Sequence, residues 1–293
     1  MEVSSGALNT ALKLGAIFTY IFIIGLLVVL SAGETISLDG YDKSDLIILK
    51  LSQIVSSVLI FIAPAIAFVY LLTPEKLRYF QLHSVPKLSS VVFSVLLMLA
   101  SLPLINWMIE LNSTMAFPDF LKGVEEWMRS AEANAEKLTE IFLHMDSTMD
   151  LLLNLFMIAL VAAVSEELFF RGIVQKAIYE ASNNAHLSIW IAAILFSAIH
   201  GQFYGFIPRA ILGVLFGYLF VWSGSLWLPM ICHFINNAAA VIFSYLIEKD
   251  LIDFDADNVG TLEGETILLL TSLAIVSGLI FLIYRREKIF IRQ

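Results

Sequence analysis

Apolar stretches long enough to cross a bilayer recur along this chain, and they constrain its fold more than any other feature. A transmembrane helix needs about 20 mostly apolar residues. Five stretches reach that length on hydropathy alone, and three more reach it if a few polar residues are admitted. With 59% apolar and 15% charged residues, the composition excludes a soluble domain. A backbone in lipid must satisfy its own hydrogen bonds, so we expect an all-α, polytopic membrane helix bundle.

The apolar pattern predicts about eight transmembrane helices. They are expected near 12–32, 48–73, 88–110, 151–172, 187–204, 206–223, 226–247 and 265–284. If the spans alternate, the basic residues of loop 74–87, Arg171 and Lys176 at the end of the fourth span, and the basic tail 285–292 fall on one side. The acidic segments 34–39, 111–150 and 250–257 fall on the other. The positive-inside rule then predicts a multi-pass protein of the cell membrane with both termini in the cytoplasm.

One amphipathic helix is predicted outside the membrane, over residues 118–145. Its apolar residues recur three and four apart and form a narrow seam: Leu121, Val124, Met128, Ala131, Ala135, Leu138, Phe142 and Met145. We expect this helix to lie against the external ends of the spans. A substrate gate and a self-association site are the alternatives.

Two adjacent glutamates and an arginine interrupt the fourth predicted span. Charged groups at that depth cost at least about 2.5–3.5 kcal/mol each on insertion scales, so they are normally paired and functional. Residues four apart share a helix face, so Glu167 is expected to pair with Arg171. Glu166 projects about 100° round the helix and is left free to act chemically. With the span ending at residue 172, Glu166 would lie about 8 Å from the cytoplasmic edge of the hydrocarbon core.

Two histidines and an asparagine occupy later spans. His200 follows Phe196 by four residues in the fifth predicted span, and His233 and Asn237 lie four apart in the seventh. Buried polar groups in hydrocarbon must find partners, and those on offer are each other and the carboxylates of the fourth span. The pattern predicts that a glutamate, two histidines and an asparagine from three helices converge on one water molecule.

These motifs resemble a known family. Glu-Glu-x-x-x-Arg at 166–171, Phe-x-x-x-His at 196–200 and His-x-x-x-Asn at 233–237 are similar to the three signature motifs of the CPBP intramembrane proteases. That family, also called Abi, groups CAAX prenyl endopeptidases with bacterial bacteriocin-processing and self-immunity proteins. The resemblance covers about 150–247, roughly a third of the chain.

The resemblance implies an intramembrane endopeptidase and a role for each motif residue. Glu166 would activate water as general base, and Glu167 and Arg171 would support it, with Glu167 also a candidate second acid. His200 would orient or polarise the water, and His233 and Asn237 would stabilise the oxyanion. The expected substrate is a membrane-associated peptide or protein, cut near its C-terminus or at a leader junction without a covalent acyl-enzyme.

The predicted spans, the external helix and the resemblance together divide the chain into four parts. Residues 1–110 form an N-terminal three-span membrane segment, 111–149 an external loop with the amphipathic helix, and 150–247 a CPBP-like catalytic core. Residues 248–293 form an external loop, the last span and a basic cytoplasmic tail. The partners expected are the substrate and the lipid bilayer. No basic footprint for a nucleic acid is present, and the oligomeric state stays open.

A zinc ion is the alternative to a mechanism without a cofactor. Catalytic zinc often keeps three protein ligands and one water, and Glu166, His200 and His233 are such a set. The His-Glu-x-x-His signature is absent, however, and the two histidines lie on different helices. We favour no metal, and name these three residues as the ligands if there is one.

Two other functions stay open. A non-catalytic immunity or peptide-binding factor of the same family would keep the fold without cutting. An ion-coupled transporter would also carry intramembrane acids and histidines, since these form proton relays, although we find no inverted repeat that supports it.

Two further residues are expected to lie outside the site. Arg209, early in the sixth span, is expected to snorkel or to pair with a loop acid. Cys232, the only cysteine in the chain, excludes an internal disulfide and is expected to be a small packing residue.

Overall fold

The computed structural model describes residues 5–31, 43–72, 76–115, 118–252 and 266–287. Within these ranges the chain forms helices and turns and no strand, which confirms the all-α membrane bundle. The α-helices are α1 (Ser5–Ser31), α2 (Lys43–Ser57), α3 (Ala63–Leu72), α4 (Lys76–Tyr79), α5 (Leu88–Ala100), α6 (Leu102–Ser113), α7 (Lys122–Leu143), α8 (Thr148–Asn154), α9 (Ala162–Phe169), α10 (Lys176–Ser182), α11 (Ala185–Ala198), α12 (Phe206–Ser223), α13 (Trp227–Glu248) and α14 (Thr266–Glu287).

Short segments of non-α helix interrupt or precede some of these elements. π-Helical segments join α2 to α3 (Val58–Ile62), α8 to α9 (Leu155–Val161) and α9 to α10 (Phe170–Gln175). A 3₁₀ turn, Asp119–Leu121, precedes α7. The two later π-helical segments flank α9, which carries both glutamates of the first motif. The acidic segments 34–39 and 253–257 and the basic tail after 287 lie outside the described residues.

Five helices in the described ranges are long and apolar enough to cross a membrane. They are Asp45–Leu71, Thr148–Ser182, Phe206–Ser223, Trp227–Glu248 and Thr266–Glu287. The pair α5 and α6 is a sixth if it counts as one span. It bends by 45° where Pro103 enters the first turn of α6. The other two predicted spans contain shorter apolar helical stretches, Leu12–Ile24 and Ala185–Ala198, so the count of eight is not confirmed.

The helix that carries the glutamates is longer than predicted. It runs without a break in helicity from Thr148 to Ser182, and Glu166 therefore lies near its middle, not one and a half turns from its end. Arg171 and Lys176 had suggested that the span ended there. Arg171 is instead buried in an ion pair, and the Lys176 ammonium donates to the Tyr79 carbonyl. Both charges are satisfied inside the bundle, so neither ends the helix.

The fifth predicted span, 187–204, is wrong in its extent. α11 ends at Ala198, because Gly201 adopts the left-handed conformation (φ 65°) that closes a helix. His200 therefore lies not on a helix but in the turn between α11 and α12. We call this turn, residues 199–205, the His200 turn. Fourteen residues of α11 span only about 21 Å. The hairpin α11–α12 therefore brings its turn to the level of Glu166.

The predicted external helix is α7, and it contacts the His200 turn. Glu132 accepts a hydrogen bond from the Tyr204 backbone N–H (3.1 Å), and the Trp127 ring meets the Phe203 ring edge-on at 5.1 Å. Met128 and Ala131 of the predicted seam are buried, whereas Val124 remains 47% exposed. α7 thus packs beside the turn that carries His200 and does more than cover the ends of spans.

Contacts group several basic segments at one end of the bundle. The Lys87 backbone N–H donates to Glu287 (3.1 Å), and Trp227 donates to the Leu82 carbonyl (2.8 Å). Glu180 accepts from both Lys13 and Tyr79, at 3.1 Å each. The N-terminal part of α1 and the C-terminal end of α14 therefore lie at the same end as the 79–87 segment.

Close helix contact in the hairpin depends on glycine. A Cβ on Gly213 would lie 3.0 Å from the Ala193 Cβ, and one on Gly217 would lie 2.8 Å from Ile189 and 2.9 Å from Gln175. Both glycines sit on α12 and let it approach α11 and the π-helical segment Phe170–Gln175, as small residues do in membrane bundles.

We expect Gly217→Leu to destabilise the fold by at least about 1–3 kcal/mol, the usual cost of overpacking. Gly278→Leu is the matched control, because a Cβ there meets nothing within 4 Å. The check is the thermal unfolding midpoint of each purified variant in detergent. Equal midpoints for the two variants would contradict the packing of α12 described here.

Candidate active site

The Glu167 carboxylate is the centre of a buried ion-pair cluster. Its Oε1 accepts from Arg171 Nη1 and lies against His233 Nδ1, at 2.9 Å in each case. Glu167 is fully buried, and Arg171 is 1% exposed. The predicted pairing of Glu167 with Arg171 is confirmed.

Arg171 is held on several sides. Nη2 donates to the Gly213 carbonyl of α12 (2.9 Å), and the guanidinium lies over the Phe196 ring at 4.6 Å. Phe196, the first residue of the second motif, thus packs against Arg171, the last charged residue of the first motif. The cluster joins α9, α11, α12 and α13 at one point.

Glu166 faces both histidines. Its Oε2 lies 3.9 Å from His200 Nε2 and 3.8 Å from His233 Nε2. The Glu166 side chain is 13% exposed and that of His200 is 26% exposed, whereas Glu167 has no exposure. The two neighbouring carboxylates therefore differ: Glu167 is buried in an ion pair, whereas Glu166 is accessible and lies near two imidazoles.

Hydrogen bonds fix the orientation of both imidazoles. His200 Nδ1 lies 2.7 Å from the Phe196 carbonyl, and His233 Nδ1 lies 2.9 Å from the Glu167 carboxylate. Because both partners are acceptors, each Nδ1 carries a hydrogen, and each neutral ring turns an Nε2 lone pair towards Glu166. His233 also stacks on Phe216, with ring centroids 5.2 Å apart.

Asn237 lies near the site but is engaged elsewhere. Its Nδ2 donates to the Ile158 carbonyl in the π-helical segment Leu155–Val161 (3.0 Å), and its Oδ1 accepts from Asn236 (3.2 Å). The structure thus brings Glu166, His200 and His233 together, and uses the Asn237 amide to tie α13 to the helix of the glutamates. Its role towards an oxyanion stays a prediction.

The metal alternative can be compared with this geometry. The Nδ1 contacts of both histidines are of the kind that orients metal ligands. Neighbouring donors of a tetrahedral zinc site lie about 3.3 Å apart, given zinc–nitrogen distances of about 2.0–2.1 Å. The observed separations are 3.8 and 3.9 Å. Among the described residues, no three His, Cys, Asp or Glu side chains are grouped closely enough to hold a metal. The donor chemistry suits zinc, but the spacing does not.

Arg209 lies closer to the site than predicted. It interacts electrostatically with Glu132 of α7, which agrees with the expected loop acid, but also with Glu166 and His200. The expected pairing accounts for only part of its surroundings, because the charge of Arg209 also acts on Glu166 and His200. The reason is that the helix before it ends early, so the first turn of α12 lies level with Glu166. A charge nine residues after the second-motif histidine was the available signal.

Cys232 behaves as predicted. It is fully buried in an apolar cluster with Leu97, Phe216 and Leu228. It does not belong to the site.

The different surroundings of the two adjacent carboxylates predict different effects of a Glu→Gln substitution on stability. Glu167→Gln removes the partner of a buried guanidinium, and breaking such a pair costs about 3–5 kcal/mol. Glu166→Gln changes a partly exposed group that makes no direct hydrogen bond to another described residue, and it should leave stability almost unchanged. Thermal unfolding midpoints in detergent, together with gel-filtration profiles, measure the difference. A larger loss in Glu166→Gln than in Glu167→Gln would contradict the assignment.

Comparisons with known proteins place residues 148–239 in a family. These residues match the model of "Type II CAAX prenyl endopeptidase Rce1-like". No solved structure matches the chain significantly.

Two curated relatives come from Bacillus subtilis (strain 168). "Uncharacterized protein YpbD" is 30% identical over 89 residues, which cover 29% of this chain and 42% of the relative. "Putative membrane peptidase YdiL" is 26% identical over 84 residues, which cover 29% of this chain and 34% of the relative. The chain thus spans less than half the length of either. The resemblance carried by the three motifs is confirmed, since residues 148–239, which contain all three, match the model of the CAAX-type endopeptidases.

Proposed function

We propose that this membrane protein is an intramembrane endopeptidase that hydrolyses a peptide bond of a membrane-associated protein or peptide, with water activated by Glu166. One observation carries the proposal: two oriented imidazoles share one oxygen of an accessible glutamate, at 3.8 and 3.9 Å. The match to the CAAX endopeptidase model and the similarity to YdiL support it.

The site has hydrogen-bond acceptors but no donor among them, which favours a water molecule at its centre. Glu166 and the two neutral Nε2 atoms are all acceptors, so none of them can donate to another. The separations are too long for direct hydrogen bonds, and polar groups at such distances are commonly bridged by water. A water between them donates its hydrogens to the acceptors and keeps a lone pair for attack.

Glu166 is the group best placed to take the proton. The water oxygen forms a bond to the substrate carbonyl carbon, and its proton passes to the Glu166 carboxylate. The tetrahedral intermediate then collapses, the carbon–nitrogen bond breaks, and the proton leaves Glu166 for the departing amine. His200 orients the water, in accordance with the role that the resemblance implies.

Glu167 serves mainly as a support in this scheme. Its Oε1 already binds Arg171 and His233, and it has no exposure to a substrate. His233 is held in place by that carboxylate, and its role towards the oxyanion stays part of the proposal.

The substrate and the topology are also part of the proposal. We propose a peptide cut near its C-terminus, as the CAAX-type match suggests, and a cell-membrane location with both termini in the cytoplasm. The support for the topology is that Lys13, Lys87, Arg285 and Arg286 belong to segments at one end of the bundle.

Purified protein in detergent or vesicles should cleave members of a CAAX-type peptide library, and Glu166→Gln should lower kcat by about 10²–10⁴-fold, the usual contribution of a general base. The matched control is Glu110→Gln, at the end of α6, which should keep full activity. Peptide cleavage is followed by mass spectrometry. Full activity in Glu166→Gln would sink the assignment of the base.

Strong chelation before the assay separates the two mechanisms. We expect cleavage to survive it, because the spacing of Glu166, His200 and His233 does not suit zinc. Loss of activity that zinc restores would make these three residues ligands instead. Binding of a peptide with no cleavage in any condition would favour a non-catalytic immunity or peptide-binding factor.

A further inference from the structure

Arg209 places a second guanidinium against the turn that carries His200. It is the fourth residue of α12, directly after the His200 turn. It interacts electrostatically with both Glu166 and His200, the two groups that would hold the water, and with Glu132 of α7. The proposed mechanism gives this residue no role.

One end of the guanidinium is anchored and the other is not. Nη2 donates to Gln202 Oε1 of the His200 turn (2.6 Å). A Cβ on Gly205 would lie 3.2 Å from Nη2, so the glycine lets the guanidinium rest against the turn. Nη1 is buried and has no hydrogen-bond partner among the described residues. A buried donor without an acceptor is destabilising, and a substrate oxygen would satisfy it.

Other donors around Glu166 are already engaged. Both terminal nitrogens of Arg171 are bound, to Glu167 and to the Gly213 carbonyl. Asn237 donates to the Ile158 carbonyl, and His233 uses its Nδ1 hydrogen on Glu167. Among the described residues, Arg209 Nη1 is a buried cationic nitrogen that makes no hydrogen bond, whereas each terminal nitrogen of Arg171 makes one.

We propose that Arg209 is a further catalytic residue, whose Nη1–H donates to the oxyanion that forms on the substrate carbonyl. This rests on the proposed function. When the water oxygen bonds to the carbonyl carbon, the π-electron pair moves to the carbonyl oxygen, and Nη1 stabilises that charge. On collapse, the carbonyl re-forms and the amine leaves with the proton that Glu166 had taken. One water is consumed, and no oxidant or reductant is needed.

In this proposal, α7 and the His200 turn hold Arg209 in position. Gln202 fixes the guanidinium, and the backbone of the same turn is held by Glu132 through Tyr204 and by Asn112 through the Phe203 carbonyl (2.6 Å). A donor fixed in advance needs no reorganisation as charge develops, which is the condition for strong electrostatic catalysis.

The first test is steady-state kinetics of Arg209→Gln and Arg209→Lys. Removing one oxyanion donor lowers kcat by about 10²–10³-fold, with little change in KM because the interaction forms only in the transition state. Arg209→Lys keeps the charge but not the fork geometry and should lose less. Arg285→Gln, near the end of α14 and outside the site, should match the wild type.

A second measurement separates catalysis from folding or positioning. A phosphinate peptide, which mimics the tetrahedral intermediate, should lose affinity in proportion to kcat/KM across the wild type, Arg209→Lys and Arg209→Gln. Binding of the uncleaved substrate in the Glu166→Gln background should not change. If Arg209→Gln does not fold, the wild type and Arg209→Lys still give this comparison.

The substrate's own charge provides the outcome that would overturn the inference. Peptides with a free carboxylate and with an amide at the C-terminus should suffer the same fold-loss in Arg209→Gln. A loss confined to the free acid would show that Arg209 binds a substrate carboxylate instead. Unchanged kcat in Arg209→Gln would overturn this inference alone, whereas no cleavage by the wild type would overturn the proposed function.

Discussion

Glu167 shares one carboxylate oxygen between Arg171 and His233, and the rest of the site depends on this contact. A guanidinium buried in a membrane bundle requires a partner, so the contact fixes α9 against α12 and α13. It also fixes the tautomer of His233 and turns its Nε2 towards Glu166. Because Glu167 supplies the structural charge, the neighbouring Glu166 is left accessible for chemistry.

The sequence was sufficient for the features that depend on local spacing. Glu167 and Arg171 lie four apart on a continuous helix, so their pairing followed from helix geometry alone. Charged and polar residues inside apolar spans had few possible partners, and this predicted the convergence of Glu166, His200 and His233. The family match over 148–239 agrees with the motifs that carried this reasoning.

The features that were missed depend on tertiary contacts. Arg171 and Lys176 look like the end of a span in the sequence, but partners on other helices satisfy them and the helix continues to Ser182. Gly201 ends α11 before His200, and the π-helical segments on either side of α9 have no pattern in the sequence. These shifts place Arg209, early in α12, against the turn that carries His200.

The contact of α7 with the His200 turn links a segment outside the matched region to the candidate active site. Glu132 accepts a hydrogen bond from the Tyr204 backbone, and the Trp127 ring packs against the Phe203 ring of the same turn. The helix that appeared to be an accessory thus supports the position of His200 and Arg209. The gate and self-association alternatives for α7 stay predictions.

The central claim is that a water activated by Glu166 attacks the peptide carbonyl directly. Product analysis in H₂¹⁸O with hydroxylamine present is its most direct test. Direct attack predicts one ¹⁸O in each new C-terminal carboxylate and no hydroxamate, because no acyl-enzyme forms for the amine to intercept. A hydroxamate product from the wild-type protein would contradict the account.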